Sequence, residues 1–145
     1  MAVTAKAYGR AGLSLMNKEM DLDTDAIKVM LCTATYTPDQ DAHRYKSDVT
    51  NEVSGTGYTA GGATLASPAV SYTGATNVAA FDAADTVWGP PAVFTARYAV
   101  VYDGTPGTDA TRPLLGWVDF GADVVVSTTL TITWAAGGIA TITAT

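Results

Sequence analysis

Any chemistry in this chain has to come from a short set of residues. His43 is the single imidazole and Cys32 the single thiol. Histidine works as a general base or metal ligand, and cysteine as a nucleophile, only beside partner groups that activate them. Asp39 and Asp41 lie close to His43 in sequence, but no nucleophile stands at a recognisable spacing from it. His43 therefore reads as a solvated or interface side chain. Cys32 falls in the apolar run Ile27–Tyr36, which suits a buried, inert thiol. A lone cysteine forms no intramolecular disulfide, and the compartment that fits is one that tolerates reduced thiols, such as the cytoplasm of a producing cell. There is no G-x-S-x-G run, no Cys-His pair and no clustered set of metal ligands. The reading is of a chain with no catalytic, cofactor-binding or metal-binding residues.

Two further motifs resemble ligand sites in part. Asp21, Asp23 and Asp25 imitate the start of a calcium loop, whose carboxylates at alternate positions surround the ion. The sixth position of such a loop should be Gly and is Ala26; the twelfth should be Glu and is Cys32. Acidic turn residues before a strand explain the run more simply. Gly55-Thr-Gly-Tyr-Thr-Ala60 approximates a dinucleotide fingerprint, which functions only between a strand and a helix. Here the residues that follow, Ala63 to Thr73, read as a strand containing Pro68. Gly55–Gly62 is expected to be a flexible loop that touches a neighbour.

The aromatic residues carry more information. Trp88, Phe94, Tyr98, Tyr102, Trp117, Phe120 and Trp134 fall in or beside the later strands. Tyr98, Val100 and Tyr102 share one strand face, with Ala99 and Val101 on the other. Two layers of a sandwich core account for this pattern, and the competing reading is an aromatic face that binds sugars or protein partners. Trp117, in an apolar run, is expected in the core. Arg97 interrupts another apolar strand and needs a partner, for which Asp119 is the candidate.

These residues need a β scaffold. Strands are expected at 27–36, 63–73, 78–87, 94–103, 113–120, 124–134 with a break near Ser127, and 138–144, separated by Gly/Pro/Asn-rich turns. Residues 1–20 are ambiguous between an extended arm and a short helix, because Gly9 and Gly12 weaken the helical pattern. Thr37-Pro-Asp-Gln40 has the form of a capping box and predicts one surface helix over 38–48. Regular strand spacing without strand–helix alternation points to one mainly β domain over 1–145, an antiparallel sandwich or barrel. The C-terminal stretches 128–134 and 139–145 are expected to form a hairpin that lacks the charges which normally blunt an edge.

Composition narrows the role. Charged residues make up 15% of the chain, against an average near 25%, while threonine occupies roughly one position in six. A β domain so poor in charge suits contact with copies or partners better than catalysis. The net charge of −6, with basic residues scattered, argues against nucleic acid. The N-terminus lacks the apolar core of a signal peptide, and no stretch reaches the length of a membrane span.

The segments Asp21-Leu-Asp-Thr-Asp…Ile27-Lys-Val, Tyr36-Thr-Pro-Asp39, Gly55–Gly62, Thr95–Tyr102 and Leu114–Gly121 resemble, in order, a family of small virion proteins of tailed bacteriophages. The resemblance implies a non-enzymatic virion structural protein, of which capsid decoration (cement) is the role most associated with this size. It further implies binding to the major capsid protein or other virion proteins, location in the virion, and a homo-oligomer, a trimer by analogy. The alternatives are another virion part (tail, head–tail junction or fibre anchor) or a carbohydrate- or receptor-binding β-module.

Overall fold

The computed structural model describes residues 2–145. The fold is mainly β, with every strand pairing antiparallel, and is sandwich-like. In chain order the elements are β1 (Thr4–Ala7), α1 (Ala11–Met16), β2 (Ile27–Cys32), β3 (Ala63–Thr64), β4 (Ala69–Thr73), β5 (Val78–Asp82), β6 (Thr86–Trp88), β7 (Phe94–Asp103), β8 (Leu114–Val126), β9 (Leu130–Ile132) and β10 (Ala140–Thr143). Five strands form the main sheet in the order β1-β8-β7-β2-β3; β10-β5-β4 and β6-β9 make two smaller sheets.

The centre of the main sheet is β2, β7 and β8, whose runs of Val, Ile, Leu and Tyr suit strands covered on both faces. Ile27, Val29 and Leu31 join Ala99, Val101 and Leu115 in the larger core, closed by Phe81, Trp88 and Ile132 from the smaller sheets. Met30, Cys32, Val100, Tyr102, Leu114 and Trp117 face the other way, into a second core closed by Tyr8 and Tyr36. The Tyr98/Val100/Tyr102 face is thus an interior layer.

Two irregularities decide which face each aromatic meets. Val101 pairs with Gly116 and Tyr102 with Leu114, leaving Leu115 as an extra residue in β8. That bulge reverses the alternation, so Leu115 points into the larger core while Leu114 and Trp117, three positions apart, share the smaller one. Further along, Ala96 pairs with Val124 but Tyr98 with Asp119, and the extra residues of β8 bend at Gly121, at φ 81°. The expected strands 113–120 and 124–134 are consequently one continuous β8 that ends at Val126, with a separate β9 after the break at Ser127. The expected strand 63–73 is divided into β3 and β4.

The helix falls elsewhere than the capping-box pattern indicates. Residues 38–48 contain turns and a single 3-10 turn, Lys46–Asp48, and the α-helix is α1 in the ambiguous N-terminal segment, preceded by edge strand β1. Asp39 Oδ1 accepts from the N–H groups of Asp41 and Ala42 at 3.0 and 2.9 Å, and Gln40 Nε2 donates to Ala7 O at 3.0 Å instead of reaching back to Thr37. Local side-chain bonds of this kind compete with helix formation. Tyr45 is extended and bridges Pro113, with Leu114 N donating to Arg44 O at 2.9 Å. The chain between β2 and β3 thereby closes the second core.

The C-terminal hairpin does not form. β9 pairs with β6 (Thr86 opposite Ile132), and β10 pairs with β5 (Ala140 opposite Phe81). The turn at Ala135–Gly138, closed by Gly138 N donating to Ala135 O at 2.9 Å, passes the chain from one small sheet to the other.

Candidate functional site

The sequence-predicted chemical residues are tied into hydrogen-bond networks of the fold. Tyr8 and Tyr36 hydroxyls lie 2.8 Å apart, and Tyr36 Oη is 3.0 Å from His43 Nδ1, which also accepts from Asp39 N at 3.3 Å. With Nδ1 accepting, the proton chain runs Tyr8 to Tyr36 to His43. His43 stacks on Tyr36 with centroids 5.7 Å apart, half-buried between loops and not on the polar face of a helix. Burial, reinforced by the bond to Tyr36, pushes the Tyr8 phenol far above its ordinary value. Burial likewise raises Tyr36 to about 12, against the opposing bond from Tyr8. The Cys32 thiol, in the same core, is pushed up to about 12 by burial, so thiolate is scarce at neutral pH. This network, with the Gln40 bond to Ala7 O, welds loop 36–43 to the chain at the end of β1.

The aspartate run caps its own turn. Asp21 Oδ1 accepts from Asp23 N and Thr24 N at 3.0 and 3.3 Å, and Asp25 Oδ2 accepts from Asp21 N at 2.7 Å. The glycine loop is anchored where a flexible segment was expected. Tyr58 Oη accepts from Leu31 N at 2.9 Å and donates to Glu52 at 2.8 Å, while Gly61 N reaches the same carboxylate at 2.6 Å. Gly62, at φ 77°, lies so close to Val29 that a Cβ would collide with its carbonyl. Arg97 and Asp119 form the expected pair, Nε to Oδ1 at 2.7 Å and a second contact at 3.3 Å. Gly121 N adds a 2.7 Å bond to Asp119, and its carboxyl is held below the usual range chiefly by the Arg97 bond. Here the pair secures the bend of β8 at Gly121.

What remains open is apolar. A groove of about 590 Å³ runs between the β1–β8 flank of the main sheet and the C-terminal chain. Ala5, Val118 and Phe120 line one wall, and Ile132, Trp134 and Ile139 the other. Beyond it, β4, β5 and β10 form a finger. Val70, Phe81 and Ala140 make one cross-strand row, and Tyr72, Ala79 and Ile142 the next row on the same face. Phe81 is buried in the larger core, yet Val70, Tyr72 and Ile142 are 51%, 64% and 67% exposed. The inward face of this sheet therefore runs past the end of the core. The available signal was the uncharged run Gly61–Phe81, the counterpart of the uncharged C-terminus; its exposure depends on which strands it pairs with.

Half of the basic residues are held in ion pairs. Arg44–Glu19 (2.8 Å), Lys46–Asp109 (2.7 Å), Arg112–Asp109 (2.8 Å) and Arg97–Asp119 (2.7 Å) are ion pairs. None of these residues lies on the finger or lines the groove, where the charged residues are Asp82 at the end of β5 and Lys6 in the groove wall. Among the described residues no helix is long and apolar enough to cross a membrane, and no cluster of three or more His, Cys, Asp or Glu has the arrangement of a metal site. Comparison with family models, with curated proteins and with solved structures finds no match to this chain.

Proposed function

We propose that this chain is a non-enzymatic structural protein that works by surface contact, most specifically a capsid decoration protein of a tailed bacteriophage. The observation that carries the contact role is the finger, whose Val70, Tyr72 and Ile142 present an uncharged apolar face continuous with the core. Monomeric domains seldom expose contiguous apolar surface without a partner for it. The virion assignment is supported separately by the five sequence segments that resemble small tailed-phage virion proteins. Such a protein binds many equivalent sites on a shell, so modest apolar contacts gain avidity through repetition and self-association. A closed homo-oligomer, a trimer by analogy, with the major capsid protein as partner and the virion as location, completes the proposal. Its partners on this reading are proteins, neither nucleic acid nor membrane.

Electron microscopy of the parent particle with this protein labelled, together with its copy number per particle, tests the reading. Hundreds of copies over the head support decoration; a handful, or tail-length multiples, would assign it to the tail or the head–tail junction. A glycan array that found specific binding would favour a carbohydrate-binding module instead. That alternative has less to draw on, because Tyr98, Tyr102 and Trp117 contribute to the second core.

A further inference from the structure

Strand β1 is a free edge of the main sheet, and every one of its residues is exposed. Tyr8 N donates to Leu115 O at 3.1 Å, which fixes the alternation along this edge. In the same register Lys6 faces Trp117 and Thr4 faces Asp119, so these residues turn their backbone groups toward β8. The groups of Ala5, and of Val3 by the same alternation, point outward. Among the described residues no other strand or loop backbone meets them. Ala7 also points outward, but its carbonyl already accepts from Gln40 Nε2 at 3.0 Å. Val3 and Ala5 both line the apolar groove. The groove therefore opens beside a strand edge with unused donors and acceptors.

Strand β4 carries the complementary edge. It is the outer strand of the finger, exposed throughout, with no charge or proline within it to blunt pairing. Ala144 N donates to Asn77 O at 2.9 Å, so Asn77, Ala79 and Phe81 bond toward β10. Val78, Ala80 and Asp82 then bond toward β4, which leaves the backbone groups of Val70 and Tyr72 pointing outward. These two are also the large apolar residues of β4, on the finger's inward face.

On the reading that the chain self-associates through its finger, we propose that β4 of one copy adds antiparallel to β1 of the next. Val70 then lies opposite Ala5 and Tyr72 opposite Val3, with both side chains entering the groove. Residues that exchange bonds across an antiparallel pair share a face, so Val70 and Tyr72 fall on the groove side with Ala5 and Val3. The Gln40 bond stops the ladder at Ala7 and so selects this register. Charge agrees with it. Lys6 is the one charged residue lining the groove and Asp82 the one on the finger. Neither has an ion-pair partner among the described residues. In this register Lys6 stands opposite Ala69, whose neighbour in β5 is Asp82. Their side chains can meet over the small Ala69, across two strand spacings of about 5 Å each. Both halves of the joint belong to this chain, which makes a second copy the occupant. The contact joins two different surfaces, so copies link head to tail, and closing the ring leaves no such edge free.

Native mass spectrometry of the wild type, Tyr72→Asp and Ala5→Pro at one concentration tests this, with melting curves to show that each variant folds. Proline at position 5 removes only an outward N–H, which an edge strand tolerates. The wild type should be oligomeric, and both variants monomeric with near-wild-type melting. Cysteine cross-linking reads the register. Ala5→Cys mixed with Val70→Cys should give a disulfide-linked mixed dimer under mild oxidation. Ala5→Cys mixed with Ser71→Cys, on the opposite face, should give several-fold less. Cys32 is buried and does not compete. An Ala5→Pro protein as oligomeric as the wild type, or a cross-link with no preference for position 70, would overturn the β1 acceptor while leaving finger-mediated association standing. A monomeric wild type would overturn both.

Discussion

Replacing Trp117 by Ala probes the bulge-dependent second core. Trp117 is 8% exposed and packs on Tyr8 with ring centroids 4.7 Å apart at 46°, among Met30, Val100, Tyr102 and Leu114. A tryptophan side chain buries about 150–250 Å², which at about 25 cal/mol per Å² is worth about 4–6 kcal/mol of transfer. Alanine retains part of that area, while the cavity left behind adds to the cost. The β2, β7 and β8 backbones enclose the site, and the neighbours outside those strands, Tyr8 just beyond edge strand β1 and Tyr36, are the ones freest to move inward. The expected destabilisation is about 3–5 kcal/mol, or roughly 10 °C in Tm for a chain of this length. Urea unfolding followed by far-UV circular dichroism measures it without depending on the fluorophore removed. Trp134→Ala, in the half-buried groove wall, serves as the comparison and should lose about 1–2 kcal/mol. A Trp117→Ala loss below about 1 kcal/mol would refute the assignment of Trp117 to a packed interior layer.

Other expectations follow from the same geometry. Gly62→Ala should cost about 2–4 kcal/mol in thermal or urea unfolding, because both the positive φ and the Val29 carbonyl oppose a Cβ, whereas Gly137→Ala, with open space around it, should stay within about 0.5 kcal/mol. Asp48→Ala should lose about 1 kcal/mol at pH 7, since its carboxylate accepts from Arg44 N and Tyr45 N at 2.8 and 3.0 Å. For Asp48 desolvation is outweighed by those two bonds, so its pKa is lowered; its stabilisation is present above the ordinary carboxylate value and fades as pH falls through the depressed one, which a pH series of melting curves will show. Tyr72→Asp combined with Ile142→Asp should leave Tm nearly unchanged while abolishing self-association in native mass spectrometry; full retention of the oligomer would show that the finger is not the contact face.

Periodicity located the covered strands. The apolar alternations of 27–32 and 94–103 locate β2 and β7, and their largely apolar double faces require layers on both sides. The Arg97–Asp119 pair was legible too, because an isolated cation in an apolar strand needs an acid within reach. Local rules failed where a distant partner competed with them. The capping-box pattern at Thr37 gave way to Asp39's bonds with its own backbone, to Gln40's bond with β1 and to the Tyr45–Pro113 bridge. The apolar C-terminal stretches looked like partners for each other but found β6 and β5. Spacing reports which faces are apolar, but only tertiary structure chooses the neighbour, because antiparallel pairing bonds backbone groups that every residue except proline carries in full. That choice left the finger's inner face in solvent and buried Asp103 at the end of β7, two features no local pattern encodes.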